Sequence, residues 1–396
     1  MPWFGLDIGG TLSKLVYFEP NDYRDFFNNE EEVQRGKNIR YYLLNNKAYG
    51  KTGIRDEHLQ MDNVVINNST GTLHFIRFPT ERMTHFIQLV KSKGFAQFRS
   101  TVCATGGGAI KFAAEMENEL SVQLHKADEL ESLITGIELI TSNFPDECYY
   151  YENPLDSEKC RKVVWRWSSA RCSTTDAQFT NGDCNGGTNL QYPYVVCNIG
   201  SGVSVLVVYG HGNFVRVTGS SVGGGFFQAL CSLCCNSKSF EDSIELAAKG
   251  DNKNVDKLVG DIYGTAYEAI GLPADTVAAS LGKISKPSDR ENVRPEDLAR
   301  SFLVTVANNI GSIAFNVAKQ HQIDRIAFVG NFLRVNPVAA RHLAYAMDFW
   351  SKGTKKALFL VHEGYFGAVG SLEKFVDVSS HQPLSSINGD KNHDDF

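Results

Sequence analysis

The sequence predicts an α/β chain built of two related halves. Three observations carry this expectation. A strand, a glycine turn and a second strand open the chain over residues 3–18, and the same pattern returns over residues 195–209. After each hairpin, β-rich runs alternate with helix-forming stretches. At 396 residues, 42% apolar and 11% aromatic, the chain has material for about two to three domains with ordinary cores.

The first hairpin joins Trp3-Phe4-Gly5-Leu6 to the β-branched and aromatic run Leu12 to Phe18 through Asp7-Ile8-Gly9-Gly10-Thr11. Residues 19–37, with Glu30-Glu31-Glu32, are polar enough for a solvated excursion. Thr72 to Phe78 alternates as a strand, and Thr80 to Lys93 fits an amphipathic helix ended by Gly94. Thr101 to Thr105 reads as a strand entering Gly106-Gly107-Gly108, with a helix from Ala109. An N-terminal half of residues 1–152 is therefore expected. Residues 153–191 turn to Asn, Ser, Thr, Gly and Asp without periodicity, as a linker or surface insertion does.

The second half is expected over residues 192–376. Aligning Asp7 with Asn198 sets Ile8 on Ile199, Gly9 on Gly200, Gly10 on Ser201, Leu15 on Leu206 and Val16 on Val207, so both halves open with one hairpin. The half continues through Val217 to Gly225. Ser239 with Asp242 three residues later signals the start of a helix that ends at Gly250, and a long apolar helix begins near Pro295. Arg325 to Val329 is a strand entering Gly330-Asn331, a helical segment covers Leu343 to Trp350, and Ala357 to His362 is extended. Residues 377–396 lose apolar periodicity and are expected to be disordered.

Charge is nearly balanced, 39 basic against 45 acidic residues, and residues 371–396 alone hold five carboxylates against two lysines. Neither a nucleic-acid partner nor a polybasic membrane patch is suggested. No run of about 18 uninterrupted apolar residues suggests a membrane span, and the N-terminus lacks the basic start of a signal peptide. Nine scattered cysteines do not resemble a disulfide framework; a reducing, cytoplasmic setting is expected. Cys231-Ser232-Leu233-Cys234-Cys235 has CxxC spacing but no second ligand pair, so buried helix thiols are expected rather than zinc. The sequons at Asn67 and Asn68 carry no meaning without a secretory route.

A glycine turn between strands lets backbone N–H groups approach an anion, and a following hydroxyl adds a donor. Asp7-Ile8-Gly9-Gly10-Thr11 has those parts. The carboxylate of Asp7 near phosphates calls for a divalent cation between them. Two matched turns make a duplicated phosphate clamp. Lys14 either reaches a phosphate or is a solvated strand lysine. Gly50-Lys51-Thr52 imitates a P-loop ending but has Asn45 where a glycine is required. The triple glycines at 106–108 and 223–225 give no dinucleotide-binding fingerprint.

The hairpins with DIGGT and NIGSG, followed by Val329-Gly330-Asn331, resemble the phosphate and adenosine motifs of actin/hexokinase-like ATPases. FGLDIGGTLSKLVYFEP, CATGGGAIKF, LHKADELE, NIGSGVSVLVV, RVTGSSVGGG, FVGNFLRVN and HEGYFGAVGSL together resemble eukaryotic (type II) pantothenate kinases from Trp3 to about Leu372. The resemblance implies two ribonuclease H-like halves with an interdomain nucleotide cleft. It implies ATP-dependent phosphorylation of pantothenate by a homodimer, with Mg²⁺ held mainly by ATP and water, and inhibition by acetyl-CoA and other acyl-CoA.

By the same resemblance, Asp7, Gly9, Gly10, Thr11, Leu12, Lys14, Gly200, Gly330 and Asn331 hold nucleotide, and Glu129 is the catalytic base. Ser201, Ser204 and Arg216 contact substrate, and Ala346 and Trp350 reach the pocket from the other subunit. Asn198 in the second hairpin cannot accept a proton usefully, so the base must come from elsewhere. Composition alone makes Glu129 part of an acidic run with Asp128 and Glu131, the pattern of a solvated helix face, and Trp350 equally fits a core. Arg216 fits a surface strand arginine or the bidentate partner of a carboxylate. His125 and His362 have no ligand partners at metal spacing. The insert near 165–191 and the acidic tail depart from the family pattern. A sugar or N-acetylhexosamine kinase and a nucleotide-binding scaffold without turnover are the alternatives.

Overall fold

Leu12–Pro20 is buried along most of its length, as a strand covered on both faces must be. In a computed structural model that describes residues 3–22, 30–45, 48–49, 53–66, 69–92, 101–156, 158–165 and 191–380, it pairs antiparallel with Trp3–Ile8 on one side and Ser69–Pro79 on the other. Trp3–Ile8 pairs parallel with Thr101–Thr105, which pairs parallel with Gln123–Lys126. Shorter strands extend this sheet to eight.

A second sheet of seven strands repeats the plan. Asn213–Ser220, Val203–Gly210 and Tyr194–Ile199 run antiparallel in turn, and Tyr194–Ile199 is followed by parallel Arg325–Val329 and Lys356–Leu360. Five strands in each sheet thus share one order and one set of directions. That is the duplication which the paired hairpins predict, on the ribonuclease H-like plan which the resemblance implies. The helix Pro295–Gln320 packs on the helices Gly224–Cys235, Phe240–Lys249 and Pro337–Ser351. It is long and apolar enough to cross a membrane, yet its apolar residues are buried in this core. Leu343 and Met347, both fully buried, close over Gly311; truncating either to alanine would cost about 2–5 kcal/mol.

The chain forms two compact units, residues 144–364 and residues 1–143 with 365–396. The expected boundaries near 152 and 376 therefore shift. Cys148–Glu152 joins the second sheet, and Arg161–Val164, inside the expected linker, pairs with it antiparallel. Arg161–Val164 reads as linker because it is a mostly exposed edge strand of polar composition. The helix Phe366–Ser380 returns to the first unit, against Trp3–Ile8 and the helix Glu129–Asn143. Side chains on Gly5, Gly136 or Gly370 would collide with the backbone of Ala368, Phe366 or Ser132. These contacts use absence of side chain, which hydrophobic patterning does not register. The helix also runs to Ser380, into the expected disordered tail. Residues 166–190 and 381–396, Asn67, Asn68 and Gly50-Lys51-Thr52 lie outside the described residues.

Candidate active site

In the first unit, Asp7 and Lys14 face each other across the hairpin register, and Lys14 Nζ lies 2.9 Å from Asp7 Oδ2. Both are largely shielded from solvent, so Lys14 is not a solvated strand lysine. The Gly9 N–H donates to Leu12 O at 3.2 Å to close the turn, which leaves Gly10 and Thr11 exposed at its tip. Thr80, read from the sequence only as the start of a helix, braces this turn: its hydroxyl donates to Gly9 O at 2.8 Å and its N–H to Thr11 O at 2.9 Å. Leu12 begins the outgoing strand.

Glu129 opens the helix Glu129–Asn143. The preceding loop is tied to strand Thr101–Thr105, since Ala127 N–H donates to Ala104 O at 2.9 Å and Thr105 Oγ1 to Ala127 O at 3.1 Å. Asp128 Oδ1 accepts from the Glu131 N–H at 2.8 Å, a cap that holds the first turn. Although the Glu129 side chain reaches solvent, surrounding protein raises its pKa. The Asp7 carboxylate and, less, Asp128 add to the rise, while Lys14 opposes it. Residues 7, 14 and 129 thus share one electrostatic neighbourhood. Gly106, at φ +82°, lies where a Cβ would come 2.9 Å from Asp7 Oδ1. Of the 106–108 glycines, set aside as a nucleotide fingerprint, Gly106 lies against the Asp7 carboxylate and Gly108 packs on Ile8.

In the second unit, Gly200 N–H donates to Gly202 O at 2.9 Å and exposes Ser201 at the turn. Gly224 and Gly225 N–H groups donate to the carbonyls of Gly200 and Ser201 at 2.9 and 3.0 Å, so the second triple glycine buttresses this turn. Gly330, at φ +104°, follows Val329, which is paired with Asn198. A Cβ there would strike the Ile199 carbonyl. Asn331 Oδ1 accepts from Arg334 Nε at 3.1 Å, and Arg334 is ion-paired with Glu241. Gly200, Gly330 and Asn331 are therefore brought together.

Ser204 stands opposite Gly219 in the register, while Leu206 stands opposite Arg216. The register shift leaves Val217 as a bulge, which turns Arg216 onto the face of Ser204 and Gly219. Arg216 Nε donates to Ser204 Oγ at 3.4 Å, and its guanidinium covers Gly219. Arg216 is exposed. Ala346 is buried in the core of its own unit, and Trp350 is half-buried against Phe315, 6.0 Å between ring centres.

His362 is not a lone histidine: its Nδ1 lies 2.6 Å from Glu147 Oε2, and its N–H donates to Glu147 Oε1 at 2.9 Å, all buried. Burial pushes the Cys231 thiol up to about 12 and the Cys235 thiol up to about 11, as inert helix thiols require. Among the described residues no cluster of three His, Cys, Asp or Glu side chains could hold a metal ion.

Two units on one five-strand plan, each with a glycine turn beside a polar side-chain cluster, define a duplicated actin/hexokinase-like fold of the ATPase and kinase class. The chain belongs to the Fumble family, which residues 3–374 match. It is 37% identical over 96% of its length to "Pantothenate kinase 1" of Arabidopsis thaliana, of which it spans 87%. It is 34% identical over 94% of its length to "4'-phosphopantetheine phosphatase" of Mus musculus, and 34% over 95% to "Pantothenate kinase 2" of Arabidopsis thaliana. The chain spans only 40% and 39% of those two longer proteins. A solved activator of 2-hydroxyisocaproyl-CoA dehydratase from Clostridium difficile, with bound ADPNP, is 15% identical at a TM-score of 0.45, covering 98% of this chain and all of that one.

Proposed function

We propose that this chain transfers the γ-phosphoryl group of ATP to the primary hydroxyl of pantothenate, the first committed step of coenzyme A synthesis. The observation that carries the reading is Glu129 beside the Asp7–Lys14 pair, with its pKa raised by burial and by Asp7. A carboxylate with a raised pKa is a better proton acceptor near neutral pH. Membership of the Fumble family, with curated pantothenate kinases among the relatives, supports the choice of substrate.

In this reading Glu129 accepts the proton of the attacking hydroxyl. Gly10 and Thr11 are the first unit's nucleotide-facing residues, and Gly200, Gly330 and Asn331 are those gathered within the second unit. Arg216, aimed by the Val217 bulge and steadied by Ser204, pairs with the substrate carboxylate. Ser201 adds a hydroxyl at the exposed turn. The partly shielded Asp7 carboxylate, paired with Lys14, is the residue that would hold Mg²⁺, an ion that takes one or two protein carboxylates and fills its shell with phosphate and water. When bound, that ion neutralises charge on the transferring phosphoryl group.

The protein acts in the cytoplasm as a homodimer to which Trp350 contributes in trans, and acetyl-CoA and other acyl-CoA inhibit it by competing with ATP. Incubating the purified chain with Mg-ATP and labelled pantothenate should yield phosphopantothenate. Phosphorylation of an N-acetylhexosamine instead would identify a sugar kinase, and nucleotide binding without any turnover would identify a scaffold.

A further inference from the structure

We propose that Gly367, in the C-terminal helix, is a positioning residue whose missing side chain sets the place of the Asp7 carboxylate. The inference rests on reading the Asp7 turn as the nucleotide site. Gly367 is the second residue of the helix Phe366–Ser380, and its φ lies outside the left-handed region. Its backbone therefore makes no demand for glycine, and alanine is the better helix former.

What a side chain would meet is specific. A Cβ at Gly367 would lie 3.2 Å from both Cγ and Oδ2 of Asp7 and 3.3 Å from Thr105 Cγ2, with no backbone among these nearest neighbours. Gly370, one turn on, is different, because its Cβ would collide with the Ser132 carbonyl. Gly370 is thus required by the packing of two helices, whereas the atoms nearest a Gly367 side chain are the Asp7 carboxylate and one methyl group.

Gly106 closes the other side, its Cβ position 2.9 Å from Asp7 Oδ1. The carboxylate sits in a slot between two glycines from distant parts of the chain. Lys14 holds it there at 2.9 Å. The helix itself is seated independently of Asp7: the Tyr365 hydroxyl donates to buried Asp56, which also accepts from Arg77 Nε at 3.0 Å. An added methyl group at 367 must therefore be absorbed by the Asp7 carboxylate and the Thr105 methyl group, which give by a few tenths of an ångström, rather than by the helix.

Gly367→Ala should fold with an unchanged or higher melting temperature while binding a fluorescent ATP analogue about tenfold more weakly and losing kcat/KM for ATP to a similar extent, since small misplacements at a reacting centre are costly. In an Asp7→Ala background, where the slot is empty, adding Gly367→Ala should leave analogue binding unchanged. Wild-type binding and turnover in the single variant would overturn the proposal, as would failure to fold or an equal loss in the Asp7→Ala background. A wild-type protein that binds the analogue but does not phosphorylate pantothenate would refute the proposed function alone, and the binding comparison would still decide the role of Gly367. If the wild type binds no nucleotide, both fall.

Discussion

Lys14 and Asp7 form a partly shielded ion pair across the first hairpin, 2.9 Å apart, and the two act on Glu129 with opposite signs. Asp7 raises the Glu129 pKa and Lys14 lowers it. Replacing Lys14 with Met removes the lowering influence, so the base form of Glu129 is populated only at higher pH. The acid limb of kcat/KM should move to higher pH, with activity at pH 6 falling more than at pH 8. A limb that stays in place would separate Lys14 from the base.

Glu129→Gln keeps size and hydrogen bonding but cannot accept a proton. Turnover should fall roughly 10²- to 10⁴-fold while nucleotide affinity stays within about twofold. Near-normal turnover in a folded variant would make Asp7 the next base to test.

Arg216→Ala should raise the KM for pantothenate as well as lower kcat/KM, because a carboxylate's partner is lost in ground and transition states alike. Arg216→Lys keeps the charge without the planar fork and should fall between wild type and alanine. Steady-state kinetics with varied pantothenate separates the three.

Glu147 is fully buried with two bonds to His362. Glu147→Ala removes the acceptor of both His362 bonds and should cost roughly 1–3 kcal/mol for each bond lost. Urea unfolding monitored by circular dichroism measures it. Glu147→Gln, which can still accept from the His362 N–H, should cost less, and equal losses would show that the hydrogen bonds are immaterial.

If Trp350 serves the partner's pocket, mixing a Trp350→Ala protein with a Glu129→Gln protein should recover part of the activity through hybrid dimers. A fully active monomer on analytical ultracentrifugation would exclude the arrangement.

The duplicated plan was legible in the sequence because a hairpin is local: strand, glycine turn and strand lie within 16 residues, and period and turn chemistry act at that range. Pro295, Ser239 with Asp242, and Arg325 to Val329 marked their elements correctly for the same reason. The glycine turns with Asp7 were likewise visible as chemistry. Other relationships depend on residues far apart in the chain, and only the tertiary structure decided them. Glu129 belongs to an acidic run until the loop tied to Ala104 carries it near Asp7, and Arg216 is a surface arginine until the Val217 bulge turns it toward Ser204. Gly367 belongs by sequence to the second half, yet packs against a carboxylate from the start of the first. Local patterns report which face of an element is apolar. Close backbone approach, electrostatic coupling and a one-residue bulge depend on what the chain brings opposite them.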